Sequence, residues 1–494
     1  MNTVKLNFRI LCRNKCYRFL TYHKHLSTLN NFRKNVISSK DEARRLLVLE
    51  NIHHEPKFKS VIGNVTKEFL SKRLETKVYN AWSWSYHRRN FFLIQLKSEL
   101  EVKRFIETCG FNLHSFPVRS RMVETSINLS ESNNSEIDSQ SIPHYEFISN
   151  FQRKMLSCEQ MRKDFSTSEQ LVQHLVSINS LSDFDIQLRY FLITQLEDLL
   201  CKGIFSGFNI FPFGSSLAGL GDNTSDLDIV LLHRNLLHSM KVNYSMPEVK
   251  SDRDQTQQSL SLIADISRHY IPNFSQINRI LRARVPIVKM TFDLAPIDLD
   301  VSIELSEESA HHGFIMANYI SYCLNVNPII KPFFVLLKLW AKQHGLVKSI
   351  AGTWFTNFQI ITLSMFYLQS RKLIQPIEMY EKPDPKELSM NGSTDLPKLL
   401  YGFFEFLISF NFEKEAISIL HGSKFNKPDY SPLYLENPIE RNLNICKNIN
   451  GVEFKKLLLT AYNSLDAMHC ETFHLADLLD VDYFKKLEKQ ISQN

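Results

Sequence analysis

The chain has 494 residues and a formal net charge of +6; 44% of its residues are hydrophobic and 12% are aromatic. This length suits about three domains, and the apolar content excludes a largely disordered chain. The 8 cysteines are scattered without a Cys-x-x-Cys pair, which argues against a zinc site or a disulfide framework. No uninterrupted apolar segment approaches the ~20 residues of a membrane helix, so we expect no membrane insertion. The mild basic excess favours an anionic partner.

The first 40 residues form a basic segment without acids. Residues 1–40 contain nine Lys or Arg and no Asp or Glu, with apolar residues interspersed among the basic ones. This composition is typical of a mitochondrial transit peptide, and the absence of a continuous apolar core argues against a secretory signal. A basic arm that binds RNA is the alternative. We expect a transit peptide over residues 1–40 and a protein of the mitochondrial matrix.

A small α/β module is predicted over residues 55–125. Residues 58–65 could form one strand and residues 91–96 form a more convincing one, after which Ser98 can cap a helix that ends before Gly110. The order of these elements resembles an RNA-recognition module. Residues 126–142, rich in Ser, Asn and acids, predict a linker behind it.

The expected role of this module is self-association rather than RNA stacking. The segment that begins at Arg89 lacks the glycine that the RNA-stacking signature of such modules requires. Aromatic side chains can anchor a protein interface instead. We therefore expect a homodimer formed through the module, with three anchors: Trp82, Trp84 and Tyr86.

Two apolar segments flank a turn of small residues near the middle of the chain. The first ends at Gly214 and Ser215, and the second begins inside Asp226-Leu-Asp228. Alternate side chains of a strand share a face, so Asp226 and Asp228 point the same way. Like charges raise each other's pKa, and a divalent cation would compensate them. Gly214 would let backbone amides approach a phosphate, to which Ser215 could also donate. A lone Asp-x-Asp is usually a solvated turn, but the flanking strands favour a metal-dependent nucleotidyl transfer site.

A third carboxylate can come from a later strand. The segment 297–303 alternates, with Asp298, Asp300 and Ser302 on one face and apolar residues on the other. Either aspartate could complete a carboxylate triad across neighbouring strands.

The remaining chain is predicted to be mainly helical. Ser182 can cap a helix that runs through Leu200, and helical patterns resume from about residue 311. Within them Lys338 and Lys342 are one turn apart and share a helix face. Such a pair is usually a solvated surface, but an anion between the two lysines would relieve their repulsion.

These motifs, in this order and spacing, resemble those of the template-independent (non-canonical) nucleotidyltransferases, and among them the mitochondrial poly(A) polymerases. The resemblance covers about residues 180–465. It implies an α+β fold with a polymerase-β-like nucleotidyltransferase catalytic domain over residues 180–310. A helical central domain with a nucleotide-recognition segment would comprise residues 145–180 and 311–494, beside the RNA-recognition-like module.

The same resemblance implies roles for individual residues. Asp226, Asp228 and Asp300 would be catalytic and would hold two Mg²⁺ or Mn²⁺ ions. Asp300 is preferred to Asp298 because an apolar residue and a serine follow it, as in the family. The implied nucleotide-binding residues, with Phe358 stacking on the base, are Gly214, Ser215, Lys338, Lys342, Thr356, Phe358 and Asn437.

The activity implied is the addition of AMP from ATP to the 3′ end of mitochondrial RNA without a template. ATP would be the substrate and RNA 3′ ends the partner. One alternative is a terminal uridylyltransferase, since Asn437 stands where many relatives have Asp. The other is a catalytically retired RNA-binding scaffold, against which the three carboxylates argue.

Overall fold

The computed structural model describes residues 29–53, 62–108, 120–129, 141–147, 157–234, 253–305, 312–348, 352–380 and 395–480. Several predicted features lie wholly or partly outside these residues. They are the first 28 residues of the predicted transit peptide, the first half of the first predicted strand (58–61), the middle of the predicted linker (130–140) and the C-terminal residues 481–494. The second half of that predicted strand, residues 62–65, is described and forms a turn rather than a strand, so this prediction is wrong there.

The N-terminal module is a five-stranded sheet with the strand order β4-β1-β3-β2-β5. Its strands are β1 (Leu46–Asn51), β2 (Asn80–Tyr86), β3 (Arg89–Gln95), β4 (Met122–Thr125) and β5 (His144–Glu146), and its helices are α1 (Leu29–Ala43), α2 (Lys67–Arg73) and α3 (Glu99–Thr108). The predicted strand over 91–96 and the helix after Ser98 correspond to β3 and α3. The module is larger than the predicted range 55–125, because β1 precedes that range and β5 follows the predicted linker.

A second five-stranded sheet, of order β6-β7-β10-β9-β8, lies in the predicted catalytic domain, which keeps that name below. Its strands are β6 (Phe208–Pro212), β7 (Leu227–His233), β8 (Phe274–Ile280), β9 (Ile287–Phe292) and β10 (Ile297–Glu304). The helices before and within it are α4 (Cys158–Asp164), α5 (Ser168–Ile178), α6 (Asp183–Leu200), α7 (Gly214–Ala218) and α8 (Arg253–Tyr270). The predicted cap of α6 is confirmed, since Ser182 and Asp185 form a capping box there. Only β7 and β10 pair in parallel, and the other neighbours in the sheet are antiparallel.

The rest of the chain is mainly helical. Its elements are α9 (His312–Val326), α10 (Ile330–Gln343), α11 (Asn357–Ser370), α12 (Leu396–Ser409), the hairpin β11 (Glu415–Ser418) and β12 (Ser423–Asn426), α13 (Gly451–Met468) and a short 3₁₀ helix (Leu475–Leu479). Over the described ranges, no single helix is long and apolar enough to cross a membrane. Helices α9 and α10 together have the required length and composition, but the chain bends by 119° between them.

Both faces of the N-terminal sheet are covered by other parts of the chain. One face packs on α2 and α3. The other packs on α6 of the catalytic domain, and there Trp84 is fully buried and donates from Nε1 to the carbonyl oxygen of Leu294 at 2.7 Å. Trp82 is also buried in this contact. The prediction that these tryptophans are exposed anchors for self-association is therefore wrong, because they attach the module to its own catalytic domain.

Helix α1 is an integral part of the structure rather than a removable segment. Phe32 packs against Phe314 of α9 with ring centroids 5.4 Å apart. Lys40 is buried, forms an ion pair with Glu197 of α6 and donates to the carbonyl oxygen of Ile210 at 2.8 Å. A boundary at residue 40 does not fit these contacts, since cleavage there would remove most of a packed helix. A transit peptide compatible with the fold ends before Leu29.

Candidate active site

Two aspartates face each other on the two central strands of the catalytic sheet. In the parallel pair of β7 and β10, Asp228 lies directly opposite Asp300. Their sequence neighbours Leu227 and Leu299 are buried on the other face, as the alternation of a strand requires. Asp226 precedes β7 by one residue and is two residues from Asp228. The predicted arrangement of Asp226, Asp228 and Asp300 at one place is therefore present.

The strand register also separates Asp300 from Asp298. Asp300 is in register with Asp228, whereas Asp298 accepts a hydrogen bond from the hydroxyl of Thr291 at 2.7 Å. Asp298 is thus two residues farther along β10 and is held by Thr291, its partner on β9.

The three carboxylates form an electrostatically costly group. Burial, with the charges of Asp300 and Asp226 adding to it, raises the pKa of Asp228 to about 7. Burial likewise raises the pKa of Asp300, although Lys289 opposes this effect. A carboxylate with such a pKa is a candidate functional group because its ionised form needs a compensating cation.

Lys289 on β9 supplies part of that compensation. Its ammonium lies 2.9 Å from Oδ2 of Asp226, 3.3 Å from Oδ1 of Asp300 and 3.8 Å from Oδ2 of Asp298. Burial by itself would lower the pKa of Lys289, but the hydrogen bond to Asp226 and the charge of Asp300 raise it overall. The sequence analysis missed this residue. The signal was the short turn between β9 and β10, whose pairing places Lys289 opposite Asp300.

The donor set suits a hard divalent cation. Carboxylate oxygens are the protein ligands that Mg²⁺ prefers, and the ammonium of Lys289 is a stand-in cation among them. As they stand, no three acidic, histidine or cysteine side chains within the described ranges converge into a complete metal site. The carboxylates therefore suit a metal ion, but the ammonium of Lys289 already lies between Asp226 and Asp300.

Gly214 packs against the central carboxylate. Its φ is +69°, a conformation that side chains rarely adopt, and a Cβ built on it would lie 2.0 Å from Oδ2 of Asp228. The backbone N–H of Phe213 donates to the carbonyl oxygen of Asp228 at 3.0 Å, which fixes the turn to the strand. The predicted need for glycine here is met, although the main close contact is with Asp228.

The loop between Gly214 and Asp226 is held by several side chains. Ser215 accepts from the N–H of Gly221 at 2.8 Å through its carbonyl oxygen, and the hydroxyl of Ser216 donates to the carbonyl oxygen of Asp226 at 3.1 Å. Arg189 of α6, buried and not predicted, donates from Nη2 to the carbonyl oxygen of Ser225 at 2.7 Å. These bonds fix the chain immediately before the first aspartate.

The structure brings only one of the predicted lysine pair into contact with this loop. Lys338 donates from Nζ to the carbonyl oxygen of Leu220 at 2.6 Å, while Lys342, one helical turn later, is exposed. Burial, with the charges of Lys342 and Lys331 adding to it, lowers the pKa of Lys338. The cationic side of α10 therefore adjoins the loop that carries Gly214 and Asp226.

The other predicted nucleotide-binding residues lie in the helical domain. Thr356 caps α11, accepting from the N–H of Gln359 at 3.2 Å, and Phe358 is 40% exposed in the first turn. Gln359 also donates to the carbonyl oxygen of Ile445 at 2.9 Å, which joins the start of α11 to the segment after Asn437. Within the described ranges, no hydrogen bond, ion pair or ring contact joins Thr356, Phe358 or Asn437 directly to the three aspartates.

Asn437 is engaged within its own loop. Its Oδ1 accepts from the backbone N–H groups of Ile439 and Glu440, each at 3.0 Å. The loop is also tied to the catalytic domain, because Glu440 forms an ion pair with Arg284. A second oxygen of Glu440 lies 3.2 Å from Nδ1 of His312 at the start of α9. The amide oxygen of Asn437 is thus used in the loop, and its amide nitrogen is the group left to donate to a ligand.

Comparison with known proteins shows which family the chain resembles. Residues 168–307 match the family described as the central palm domain of mitochondrial-like poly(A) RNA polymerase. The chain is 28% identical over 338 residues to the mitochondrial poly(A) RNA polymerase of Drosophila melanogaster, covering 61% of this chain and 54% of the relative. The human protein of the same name is 29% identical over 313 residues, covering 58% and 53%. In its central part the chain is thus similar to the mitochondrial poly(A) RNA polymerases.

The solved structures agree with this similarity and with the predicted fold class. The crystal structure of mtPAP in complex with CTP has a TM-score of 0.74 and 25% identity, covering 91% of this chain and 98% of that one. The matched palm domain contains Gly214, Asp226, Asp228, Lys289 and Asp300. The chain spans about half the length of the curated poly(A) polymerases that it matches.

Proposed function

We propose that this protein is a polynucleotide adenylyltransferase that adds AMP from ATP to the 3′ end of RNA without a template. The observation that carries the proposal is the in-register pairing of Asp228 with Asp300 on parallel strands, with Asp226 two residues away. The relatives are named poly(A) RNA polymerases, and mtPAP has been solved in complex with the ATP analogue ATPγS. A retired scaffold would have no need to keep three aspartates at an electrostatic cost.

We further propose that Asp226, Asp228 and Asp300 hold two Mg²⁺ or Mn²⁺ ions when nucleotide binds. Two such ions supply a clamp on the attacking and leaving oxygens of an in-line phosphoryl displacement. Asp228 is central to this role because it is the most deeply buried of the three, and its ionised form needs cations most. In the reaction the RNA 3′ oxygen forms a bond to the α-phosphorus of ATP, and the bond to pyrophosphate breaks.

The chain's own residues would bind and orient the nucleotide. Gly214 and Ser215, the first two residues of α7, would approach the triphosphate. Lys338 and Lys342 would offset the charge that builds on pyrophosphate, a type of stabilisation that contributes strongly to phosphoryl transfer. Burial lowers the pKa of Lys338, so a nearby anion would stabilise the charged form of this lysine.

Base recognition would take place in the helical domain. The exposed ring of Phe358 would stack on the base, an interaction that tolerates every base. Selectivity would then need hydrogen bonds to the base edge, with Thr356 and the amide nitrogen of Asn437 as candidate donors. Because the oxygen of Asn437 accepts two backbone N–H groups, this residue would donate to the base rather than accept from it.

For location, we propose the mitochondrial matrix, with a transit peptide that ends before Leu29. The relatives named as mitochondrial support this proposal, as does the basic, acid-free sequence of residues 1–28.

We also propose self-association through the N-terminal module, with its exposed apolar residues Ile52 and Leu100 replacing the buried tryptophans as candidate contacts. Light scattering of the full chain tests this, and a monomer at all concentrations would overturn it.

The test of the activity is extension of a labelled oligoribonucleotide with each NTP separately. We expect ATP to be used most efficiently. Equal or greater efficiency with UTP would reassign the protein as a uridylyltransferase, and no extension with any nucleotide, in a folded protein with Mg²⁺ or Mn²⁺ present, would overturn nucleotidyl transfer.

A further inference from the structure

Lys289 stands inside the group of catalytic carboxylates. It lies opposite Asp300 in the antiparallel pairing of β9 and β10, so both side chains project from the same face of the sheet. Its ammonium contacts oxygens of Asp226 and Asp300 at 2.9 and 3.3 Å. Within the described ranges it is the only lysine, arginine or histidine within ion-pair distance of the three carboxylates.

The position of this ammonium is incompatible with a metal held by the same two oxygens. A Mg²⁺ ion needs its oxygen ligands at about 2.0–2.1 Å, whereas the ammonium already lies between Asp226 and Asp300. Two cations at one point would clash and repel. Lysine has a flexible four-carbon stem, and the side chain of Lys289 is 33% exposed, so it has a route out towards solvent.

We propose that Lys289 is an internal counter-cation of the aspartate triad, which holds Asp226 and Asp300 together in the metal-free enzyme and is displaced when a divalent ion binds. This inference rests on the proposed function, because it assumes that the triad is a metal site. Lys289 is a positioning residue in this account. It keeps the carboxylates ordered before the substrate arrives, and it makes binding of a metal without nucleotide less favourable.

Competition of this kind predicts an effect opposite to that of an ordinary structural residue. Removing the charge leaves the carboxylates uncompensated, so the metal-free state becomes less stable and a divalent ion binds more tightly. Loss of the two partly exposed ion pairs of Lys289 corresponds to roughly a tenfold change in affinity for the divalent ion. If Lys289 only supported the shape of the site, its loss would weaken metal binding instead.

The experiment measures the affinity of the metal-free full chain for Mn²⁺ without nucleotide. The concentration of free Mn²⁺ is monitored by electron paramagnetic resonance at fixed pH. Lys289→Met keeps the length of the side chain and removes its charge, and Lys289→Arg keeps the charge. Lys398→Met, at a side chain that is 83% exposed, controls for the loss of one positive charge elsewhere. We expect Lys289→Met to bind Mn²⁺ roughly tenfold more tightly than the wild type. Lys289→Arg and Lys398→Met should stay close to the wild type.

A second measurement is the melting temperature in EDTA and in excess Mn²⁺. We expect Lys289→Met to melt lower than the wild type in EDTA and to gain more from Mn²⁺. Unchanged or weaker Mn²⁺ affinity in Lys289→Met would overturn the counter-cation role. Lys289→Gln replaces Lys289→Met if the latter does not fold, with the same expectations.

The design also distinguishes failure of this inference from failure of the proposed function. If Mn²⁺ binds to the wild type but not to Asp228→Asn, the triad is a metal site, and only the behaviour of the Lys289 variants decides the inference. If Asp228→Asn binds Mn²⁺ as the wild type does, the metal assignment itself is wrong and the inference is wrong with it.

Discussion

Asp228→Asn should stabilise the metal-free protein while abolishing RNA extension. The wild-type carboxyl has a pKa raised from 3.8 to about 7, chiefly by burial. At about 1.36 kcal/mol per pKa unit, this rise of roughly three units corresponds to a cost of at most about 4 kcal/mol for the ionised side chain. Asparagine has nearly the same shape and carries no charge, so the substitution removes this cost.

The pH dependence of the effect has a definite sign. Below about pH 4 the carboxyl is protonated in both the folded and the unfolded state, so it contributes little to the difference in stability. Between about pH 4 and 7 the folded state retains a proton that the unfolded state has lost, and wild-type stability falls as pH rises. Above about pH 7 the full cost is present. The advantage of Asp228→Asn should therefore be small at pH 4 and largest at pH 8.

Thermal melting in EDTA at both pH values measures this difference, with Asp298→Asn as the matched control. Asp298 is on the same face of the sheet as Asp300 but is held by Thr291, so its substitution should not reproduce the gain. At pH 8 we expect Asp228→Asn to melt at least a few degrees above the wild type. An unchanged or lower melting temperature at pH 8 would show that the buried charge carries no such cost, and the electrostatic description of the triad would be wrong.

Three further predictions follow from the contacts. Gly214→Ala should reduce extension on the order of 10²-fold or more, because its Cβ would lie 2.0 Å from Oδ2 of Asp228. Gly203→Ala is the control and should remain near wild type in the same assay, because a Cβ at Gly203 has no neighbour within 4 Å. Removal of residues 1–28 should leave the melting temperature unchanged, whereas removal of residues 1–43 should lower it clearly because the packed helix α1 is lost. Equal melting temperatures of the two truncated proteins would contradict the structural role of α1. Phe358→Ala should raise the KM for ATP by roughly tenfold or more without changing the melting temperature, and steady-state kinetics that show an unaltered KM would exclude base stacking there.

Much of the candidate site could be predicted because it depends on local alternation. The pattern of apolar and acidic residues is enough to place Asp226 and Asp228 on one face and Asp300 on the face of a second strand. The capping box at Ser182 is equally local. In each case the residues that decide the geometry are within a few positions of one another.

The parts that could not be predicted depend on contacts between distant segments. Alternation identifies two faces of the N-terminal sheet, but it does not say that α6 covers one of them, so Trp84 could be taken for an exposed anchor. A basic N-terminal segment has the same composition whether Lys40 is solvated or buried against Glu197. The contact of Lys289 with Asp300, 11 residues away, could be anticipated from the short turn between β9 and β10, whereas its contact with Asp226 joins segments 63 residues apart.

The most direct test of the central claim compares Asp300→Asn with Asp298→Asn in extension of a labelled oligoribonucleotide with ATP and Mg²⁺ or Mn²⁺. The two aspartates are two residues apart on one face of β10, and only Asp300 lies in register with Asp228. The account predicts a loss on the order of 10²-fold or more for Asp300→Asn and near-normal extension for Asp298→Asn. Equal losses in both variants, or a greater loss for Asp298→Asn, would contradict the assigned triad.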